Sequence, residues 1–347
     1  MAKQGLLLIN VGTPEAPTPA AVRRYLREFL SDPRVLDIHP VLRWLLLNIF
    51  ILPLRPARSA AAYQKVWSEK GSPLMIYGHA LAQAVQVQLG DSWTVRLAMR
   101  YGQPQLSEAL LAMLDCDRIV ALPLYPQYSA ASTGSSLELL YAEASKPWVT
   151  PNLSVVPPFY RDPGYLACFA ARGRALIEQE QPDHILFSYH GLPERQIKKC
   201  DVSGAHCLVK SDCCDQIASV NRSCYRAQCY DTTRSLVTAL NLSPDDYSTC
   251  FQSRLGRTPW IRPYTDEVIP ALLAKGKKRL VVFCPAFVAD CLETLEEIGI
   301  RAEHDFVAKG GVSLKLVPSL NAEADWVMSV VRLVKHNAGD DSGLPSP

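Results

Sequence analysis

No charge of one sign dominates this chain: 36 Lys and Arg face 34 Asp and Glu, leaving a formal net charge of +2 with the basic residues scattered rather than striped. The electrostatic footprint of a nucleic-acid binder is therefore missing, and no nucleic-acid partner is expected. No apolar run reaches the ~20 residues of a spanning helix. The longest, VLRWLLLNIFILPL at 41–54, is interrupted by Arg43, Asn48 and Pro53, which suits an element lying on a membrane rather than through it. A secretory signal is not expected, because GLLLINVG near the N-terminus is too short for a signal core and runs into a turn. VGTP at 11–14 lacks the G-x-G-x-x-G spacing, and its proline would spoil a phosphate-cradling helix N-terminus, so no nucleotide is expected. Polar, Gly/Pro-rich sequence is confined to HNAGDDSGLPSP at 336–347, the one stretch expected to be a disordered tail. These exclusions point to a cytoplasmic chain, at most peripheral to the cytoplasmic (inner) membrane.

What is present reads as two ordinary domains. The 347 residues are 48% apolar and 20% charged, enough for two separate cores. Six short aliphatic runs each end in a Gly, Pro or Ser turn: LLLINVGTP (6–14), TVRLAMRYG (94–102), RIVALPLYPQYS (118–129), HILFSYHGLP (184–193), STCFQSR (248–254) and RLVVFCPAF (279–287). Uninterrupted apolar strands alternating with helix-length segments predict an α/β fold with parallel sheets covered on both faces. Three runs precede the proline-rich PWVTPNLSVVPPFYRDPGY and three follow it, so the break between two similar halves is expected near residue 155. Thr18 before Pro19 predicts a helix N-cap, and Asp290 with Glu293 predicts a capping box.

In open α/β sheets the ligand crevice lies beyond the carboxyl ends of the strands. That singles out Asn10 to Thr13, Arg100, Tyr125 to Ser129, His190, Arg254, and Cys284 to Glu293. His190 ends its run and is followed by Gly191, Leu192 and Pro193. Such a histidine is either a hydrogen-bonded structural group or a proton acceptor or metal ligand, and its place at a strand tip favours the second. Glu293 could simply close the capping box. Yet Asp290, Glu293 and Glu297 stand at i, i+3 and i+7, which on an α-helix stacks three carboxylates as a path for a cation. Tyr101, Tyr125, Tyr128, Trp260 and Phe287 border the same turns, and together with the apolar lip at 38–54 they suit a large flat aromatic ligand.

SYHGLPER, FQSRLGRTPWIRPYTDE, CPAFVADCLETLEEI, LYPQYSAASTGSS and LLLINVGTP closely resemble the ferrochelatase family, from about residue 5 to about residue 335. The resemblance implies a chelatase fold of two pseudo-symmetric Rossmann-like halves, 1–155 and 156–321, with a C-terminal helix at 322–335 packing back on the first half. It implies insertion of ferrous iron, as substrate, into protoporphyrin IX, with His190 as the active-site histidine and Glu293 as the facing carboxylate that meets Fe²⁺. Asp290 and Glu297 would extend a metal relay. Val11, Arg100, Tyr125, Ser132 and Ser136 would bind the porphyrin. Valine at position 11 favours protoporphyrin over coproporphyrin III, the alternative substrate in the family. Cys291 stands where several relatives carry a second histidine.

Eleven cysteines in a reducing compartment point to metal or redox chemistry rather than disulfides, and six of them fall between Cys200 and Cys229. The resemblance marks 200–229 as an insertion and implies a [2Fe–2S] cluster there. Cys200, Cys207, Cys213 and Cys214 are the expected ligands, with Cys224 as alternate. Zinc is the other metal that four clustered thiolates suit. A cobalt or nickel chelatase, or a non-catalytic porphyrin- or haem-binding redox sensor, are the remaining readings. Oligomeric state is not legible.

Overall fold

The structure, a computed structural model, describes residues 3–256 and 258–339. They build two four-stranded sheets, every pairing parallel. The first sheet contains β1 (Gln4–Gly12), β2 (Trp93–Tyr101), β3 (Arg118–Pro123) and β4 (Leu153–Val155) in the order β2-β1-β3-β4. The second contains β5 (His184–His190), β6 (Tyr247–Gln252), β7 (Arg279–Phe283) and β8 (Ser313–Leu316) in the order β6-β5-β7-β8. The same winding thus occurs twice.

Each of the six apolar runs forms a strand, and the central ones are buried on both faces. Leu6, Leu7, Leu8 and Ile9 of β1 and Val281, Val282 and Phe283 of β7 are fully inaccessible. Each such side chain contributes about 1.5–3 kcal/mol of burial free energy, which is what makes these runs strands rather than loops. The edge strands β4 and β8 were not foreseen. They are three and four residues long, too short to carry a pattern.

The chain divides into two compact units. One takes in the residues up to Tyr125, Ala130–Pro158 and the stretch from Asn321 onward; the other takes in Pro126–Ser129 and Phe159–Leu320. The C-terminal helix, Ala324–Ala338, belongs to the first unit, where Arg118 Nη1 donates to the carbonyl of Ala338 at 2.6 Å. It runs three residues past 335, so the start of the expected tail is helical, while 340–347 lies outside the described residues.

The apolar lip departs from expectation. Pro40–Val66 is one continuous helical stretch of 27 residues, long and apolar enough by length and composition to cross a membrane. Pro53 and Pro56 do not end it, because they follow directly on a π-helical segment, Leu46–Ile51, where the i→i−4 ladder is already replaced. Asn48 does not break it either: its side-chain amide donates back to the carbonyl of Trp44 at 2.9 Å. One face, with Leu47, Leu52 and Ala60, packs with Val22, Leu26 and Leu30 of the helix Pro19–Ser31, whose N-cap is Thr18 as expected. The other face leaves Val41, Leu42, Trp44, Ile49, Phe50 and Leu54 exposed.

Candidate active site

In the second sheet the chain leaves β5 toward β6 on one side, then returns to β7 on the other. The carboxyl ends of β5 and β7 are therefore the point where the winding reverses, the usual ligand position in such sheets. His190 is the last residue of β5, and Glu293 follows β7.

The His190 ring is half-buried, with Trp260 and Phe287 at centroid distances of 6.4 and 6.5 Å. Its Nδ1 lies 2.6 Å from the carbonyl oxygen of Gly191. A carbonyl only accepts, so Nδ1 carries a proton, and in the neutral ring Nε2 is left with the lone pair that takes up a proton or binds a metal. Gly191 is required by close approach: a Cβ there would stand 2.8 Å from the carbonyl oxygen of Gln252.

The helix that carries Glu293 starts one residue later than expected. Cys291 is the N-cap, and Thr294 closes the box, its Oγ1 accepting the Cys291 N–H at 3.0 Å. Glu293 is therefore released from capping. Burial first, then the neighbouring Glu293 charge and hydrogen bond, push the Cys291 thiol well above its ordinary range, so this residue faces Glu293 as a neutral thiol.

The stripe expected of Asp290, Glu293 and Glu297 does not rest on one α-helix. Asp290 precedes the helix, and beyond Thr294 the chain is π-helical from Leu295 to Ala302, so α-helical spacing no longer sets which side chains share a face. Asp290 is buried and accepts from Thr294 Oγ1 at 3.0 Å. Glu297 accepts from Ser253 N at 3.0 Å and Ser253 Oγ at 2.5 Å, and from Gln252 Nε2 at 3.4 Å. Both carboxylates are occupied by protein donors.

In the first unit, Val11 is half-buried at the end of β1, just before Gly12, whose φ of +106° and whose approach to the Tyr101 carbonyl exclude any side chain. Ser132 lies in the π-helical turn Ala130–Gly134, and Ser136 is fully buried with its hydroxyl 3.2 Å from Tyr125 Oη. Arg100 is not free to meet a ligand with its whole guanidinium: Nε donates to Ser135 Oγ at 2.7 Å and Nη2 to Asp32 at 2.7 Å. Asp32 and Ser135 were not foreseen, since their meaning depends on pairings across 68 and 35 residues.

The ferrochelatase family model matches residues 3–338. A ferrochelatase of Coxiella burnetii (strain RSA 493 / Nine Mile phase I) is 47% identical over 335 residues, covering 96% of this chain and 93% of that one. The chain belongs to the ferrochelatase family. A ferrochelatase of Legionella pneumophila (strain Lens) is 45% identical over 332 residues, covering 96% and 98%. Two solved structures agree in fold. SirB from Bacillus subtilis with Fe³⁺ has a TM-score of 0.53 at 13% identity over 98% of both chains. The sirohydrochlorin chelatase SirB from Bacillus subtilis subspecies spizizenii in complex with cobalt has a TM-score of 0.52 at 11% identity, over 98% and 97%. The chelatase-like architecture of this ferrochelatase-family member is thereby established.

The cysteine-rich segment 200–229 of this family member is built by two polar hubs. Asp201 accepts the backbone N–H groups of Ser203, His206 and Cys207 and the Ser203 hydroxyl, which hold its carboxyl well below the usual range. Asn221, buried, ties Ala218 N to the carbonyls of Cys213 and Gln216. Between them Cys207, Cys213, Cys214 and Cys224 are buried, and the thiols interact: Cys213 with Cys214 at 3.8 Å, and Cys224 with both Cys207 and Cys214. Burial pushes the Cys207 thiol up to about 11. Arg226 Nη1 stands 3.1 Å from Cys214 Sγ. Cys200 is only half-buried, and burial alone raises its thiol. None of the eleven cysteines is in a disulfide, and among the described residues no group of three or more His, Cys, Asp or Glu is set to grip a single metal ion.

Proposed function

We propose that this chain inserts ferrous iron into protoporphyrin IX to give protohaem in haem synthesis, with His190 accepting a pyrrole proton and Glu293 meeting the metal. Iron enters as Fe²⁺ and stays Fe²⁺; two pyrrole N–H protons leave, and neither nucleotide nor electron carrier takes part. The ring must bend to expose its nitrogen lone pairs, so peripheral binding energy is turned into distortion at the reacting centre.

One observation carries the assignment. The Nδ1–H of His190 is fixed on the Gly191 carbonyl, which leaves Nε2 as a basic lone pair at the reversal point of the second sheet. Glu293, free of capping, is the carboxylate in position to receive Fe²⁺ or relay the second proton. Asp290 and Glu297, whose oxygens already take protein donors, support that carboxylate rather than pass iron along. Val11, Tyr125 and Ser132 contact the macrocycle; the fully buried Ser136 acts from behind through its bond to Tyr125 Oη, and Arg100 acts by fixing Ser135 beside it. The apolar Val11 favours protoporphyrin IX over coproporphyrin III.

The insertion suits a [2Fe–2S] cluster on Cys207, Cys213, Cys214 and Cys224, with Cys200 outside the set, since these four thiols are buried and linked in a chain of contacts from Cys207 through Cys224 and Cys214 to Cys213, and a guanidinium stands beside Cys214 to compensate charge. When bound, such a cluster supplies a one-electron, oxidant-sensitive centre; the loop it closes follows His190. The exposed face of Pro40–Val66 docks on the cytoplasmic membrane, where an insoluble substrate and product partition. Its packed face argues for lying on the bilayer, because spanning would strip Leu47, Leu52 and Ala60 from their contacts.

The deciding experiment measures Fe²⁺ insertion by Glu293→Gln and His190→Ala. Each is expected to lower kcat at least about 100-fold while porphyrin binding, followed by fluorescence, stays within about twofold. Full turnover in either variant removes that residue from the chemistry. Absence of insertion by the wild-type protein, with porphyrin still bound, would return the chain to the binding-sensor reading, and preference for Co²⁺ or Ni²⁺ would make it a different chelatase.

A further inference from the structure

Gln252 occupies a place that no reading of the sequence singled out. It is the last residue of β6, buried to 3% exposure, and in the β5–β6 ladder it is the register partner of His190. Its main-chain carbonyl accepts the N–H of Gly191 at 2.7 Å, directly behind the peptide whose oxygen fixes the His190 tautomer. Its side-chain oxygen accepts from Ser188 Oγ at 2.8 Å, two residues before His190 on β5. The same oxygen lies 3.6 Å from Cys284 Sγ, beyond the end of β7. Its side-chain amide donates to the main-chain carbonyl of Glu293 at 2.8 Å and reaches Glu297 Oε2 at 3.4 Å.

A single planar amide therefore touches the histidine strand with one end and the carboxylate-bearing helix with the other. The helical contact falls where the segment Leu292–Thr294 passes into the π-helical segment Leu295–Ala302. At such a change of ladder a carbonyl is open to a side-chain donor, and the bond fixes where the turn sits. Glu297 completes the support: it holds the backbone N–H and hydroxyl of Ser253, a residue kept at a φ of +65°, and Ser253 is covalently next to Gln252. Backbone strain of this kind persists only where surrounding bonds enforce it, and here they enforce the direction of the Gln252 side chain.

We infer that Gln252 is a positioning residue that sets the distance and orientation of Glu293 relative to His190. It does not touch the reacting atoms. Loss of its amide lets the Glu293 turn shift against β5, and an error of about 1 Å in such a pair costs up to about 100-fold in rate. The inference rests on the iron-insertion reading of the His190–Glu293 pair.

A double-mutant cycle on the full-length protein tests it, using Gln252→Met, which keeps the length of the side chain and removes both hydrogen-bonding ends. Alone, the substitution is expected to lower kcat for Fe²⁺ insertion about tenfold with the porphyrin KM within about twofold. In a Glu293→Gln background the same substitution is expected to lower the residual kcat by less than about twofold, because the group it positions is already gone. Equal fold-losses in both backgrounds, or a loss confined to KM, would make Gln252 a structural residue and overturn the inference, as would an unchanged kcat. Should Gln252→Met fail to fold, Ser188→Ala removes the bond to the side-chain oxygen together with a 2.9 Å bond to Thr265 Oγ1, and Thr265→Val removes the latter alone; a loss of about threefold in Ser188→Ala that depends on Glu293 and is absent from Thr265→Val supports the inference, and an unchanged or additive effect, or the same loss in Thr265→Val, overturns it. A wild-type protein without insertion activity would instead sink the proposed function, an outcome read before any variant is made.

Discussion

Asp32 and Arg100 form an ion pair of 2.7 Å in which the carboxylate side chain is only 3% exposed and the guanidinium 17%. The same oxygen of Asp32 also accepts from Tyr101 Oη at 2.8 Å and Ser135 Oγ at 2.5 Å. Burial by itself would raise the Asp32 pKa, but the hydroxyl of Ser135, the N–H of Arg34, the hydroxyl of Tyr101 and the charge of Arg100 outweigh it, and the net shift is downward. A carboxyl depressed in the folded state stabilises above its unfolded pKa, about 4, and that contribution is lost as pH falls through the folded value.

Asp32→Asn is therefore expected to destabilise the protein by about 3 kcal/mol at neutral pH, since it leaves a mostly buried guanidinium without its counter-charge. Urea midpoints measured from pH 7 down to pH 3 check the sign: the gap between wild type and variant should narrow below about pH 4. A gap constant across that range would assign the loss to packing instead of charge.

Gly12→Ala tests a backbone requirement at the end of β1. The residue has a φ of +106°, and a Cβ there would lie 1.9 Å from the Tyr101 carbonyl oxygen, a group that cannot swing aside without unpairing β1 from β2. We expect a lowered melting temperature, corresponding to a loss of about 2–4 kcal/mol, and a smaller effect from alanine at Gly276, which has open space around it. Equal melting temperatures for the two variants would show that the β1 terminus relaxes more freely than its packing suggests.

Much of this architecture was legible because buried parallel strands leave an unmistakable trace: LLLINV and RLVVF have no polar face to hide. The place of His190 at the end of β5 was legible for the same reason, whereas Glu293, ten residues beyond β7, was singled out by its acidic spacing and by the family motif around it, and the roles proposed for both rest on that resemblance. What escaped notice is partly a choice between neighbouring local structures and partly contacts between distant residues. The capping box moved by one residue because Thr294 Oγ1, not Glu293, meets the Cys291 N–H. α-Helical counting from Asp290 to Glu297 does not survive the π-helical segment Leu295–Ala302. Gln252 carries no local signal at all, since its partners lie 64, 41 and 45 residues away.

The thiol set is separable by single substitutions. Cys224→Ser is expected to abolish the visible charge-transfer absorption and the bound iron and sulfide of the purified protein, because Cys224 interacts with both Cys207 and Cys214. Cys200→Ser is expected to retain both, since that thiol is half-buried apart from the others. The reverse pattern would restore Cys200 to the ligand set, and zinc without visible absorption in the wild type would replace the cluster with a different metal.

The exposed face of Pro40–Val66 makes a last prediction about where the protein works. Leu42, Trp44 and Phe50 are 58%, 62% and 58% exposed, so replacing all three with serine removes little that holds the fold together. Surface changes of this kind usually alter stability by no more than about 0.5 kcal/mol each. A helix lying in the interface is held by its buried apolar area together with attraction between basic residues and anionic lipid. The triple variant should therefore keep the wild-type melting temperature and its turnover of detergent-dispersed porphyrin, yet lose at least about 90% of its co-sedimentation with vesicles containing phosphatidylglycerol. Co-sedimentation at the wild-type level would show that this face serves something other than a bilayer. A melting temperature lowered by several degrees would show that the face is covered in the folded protein.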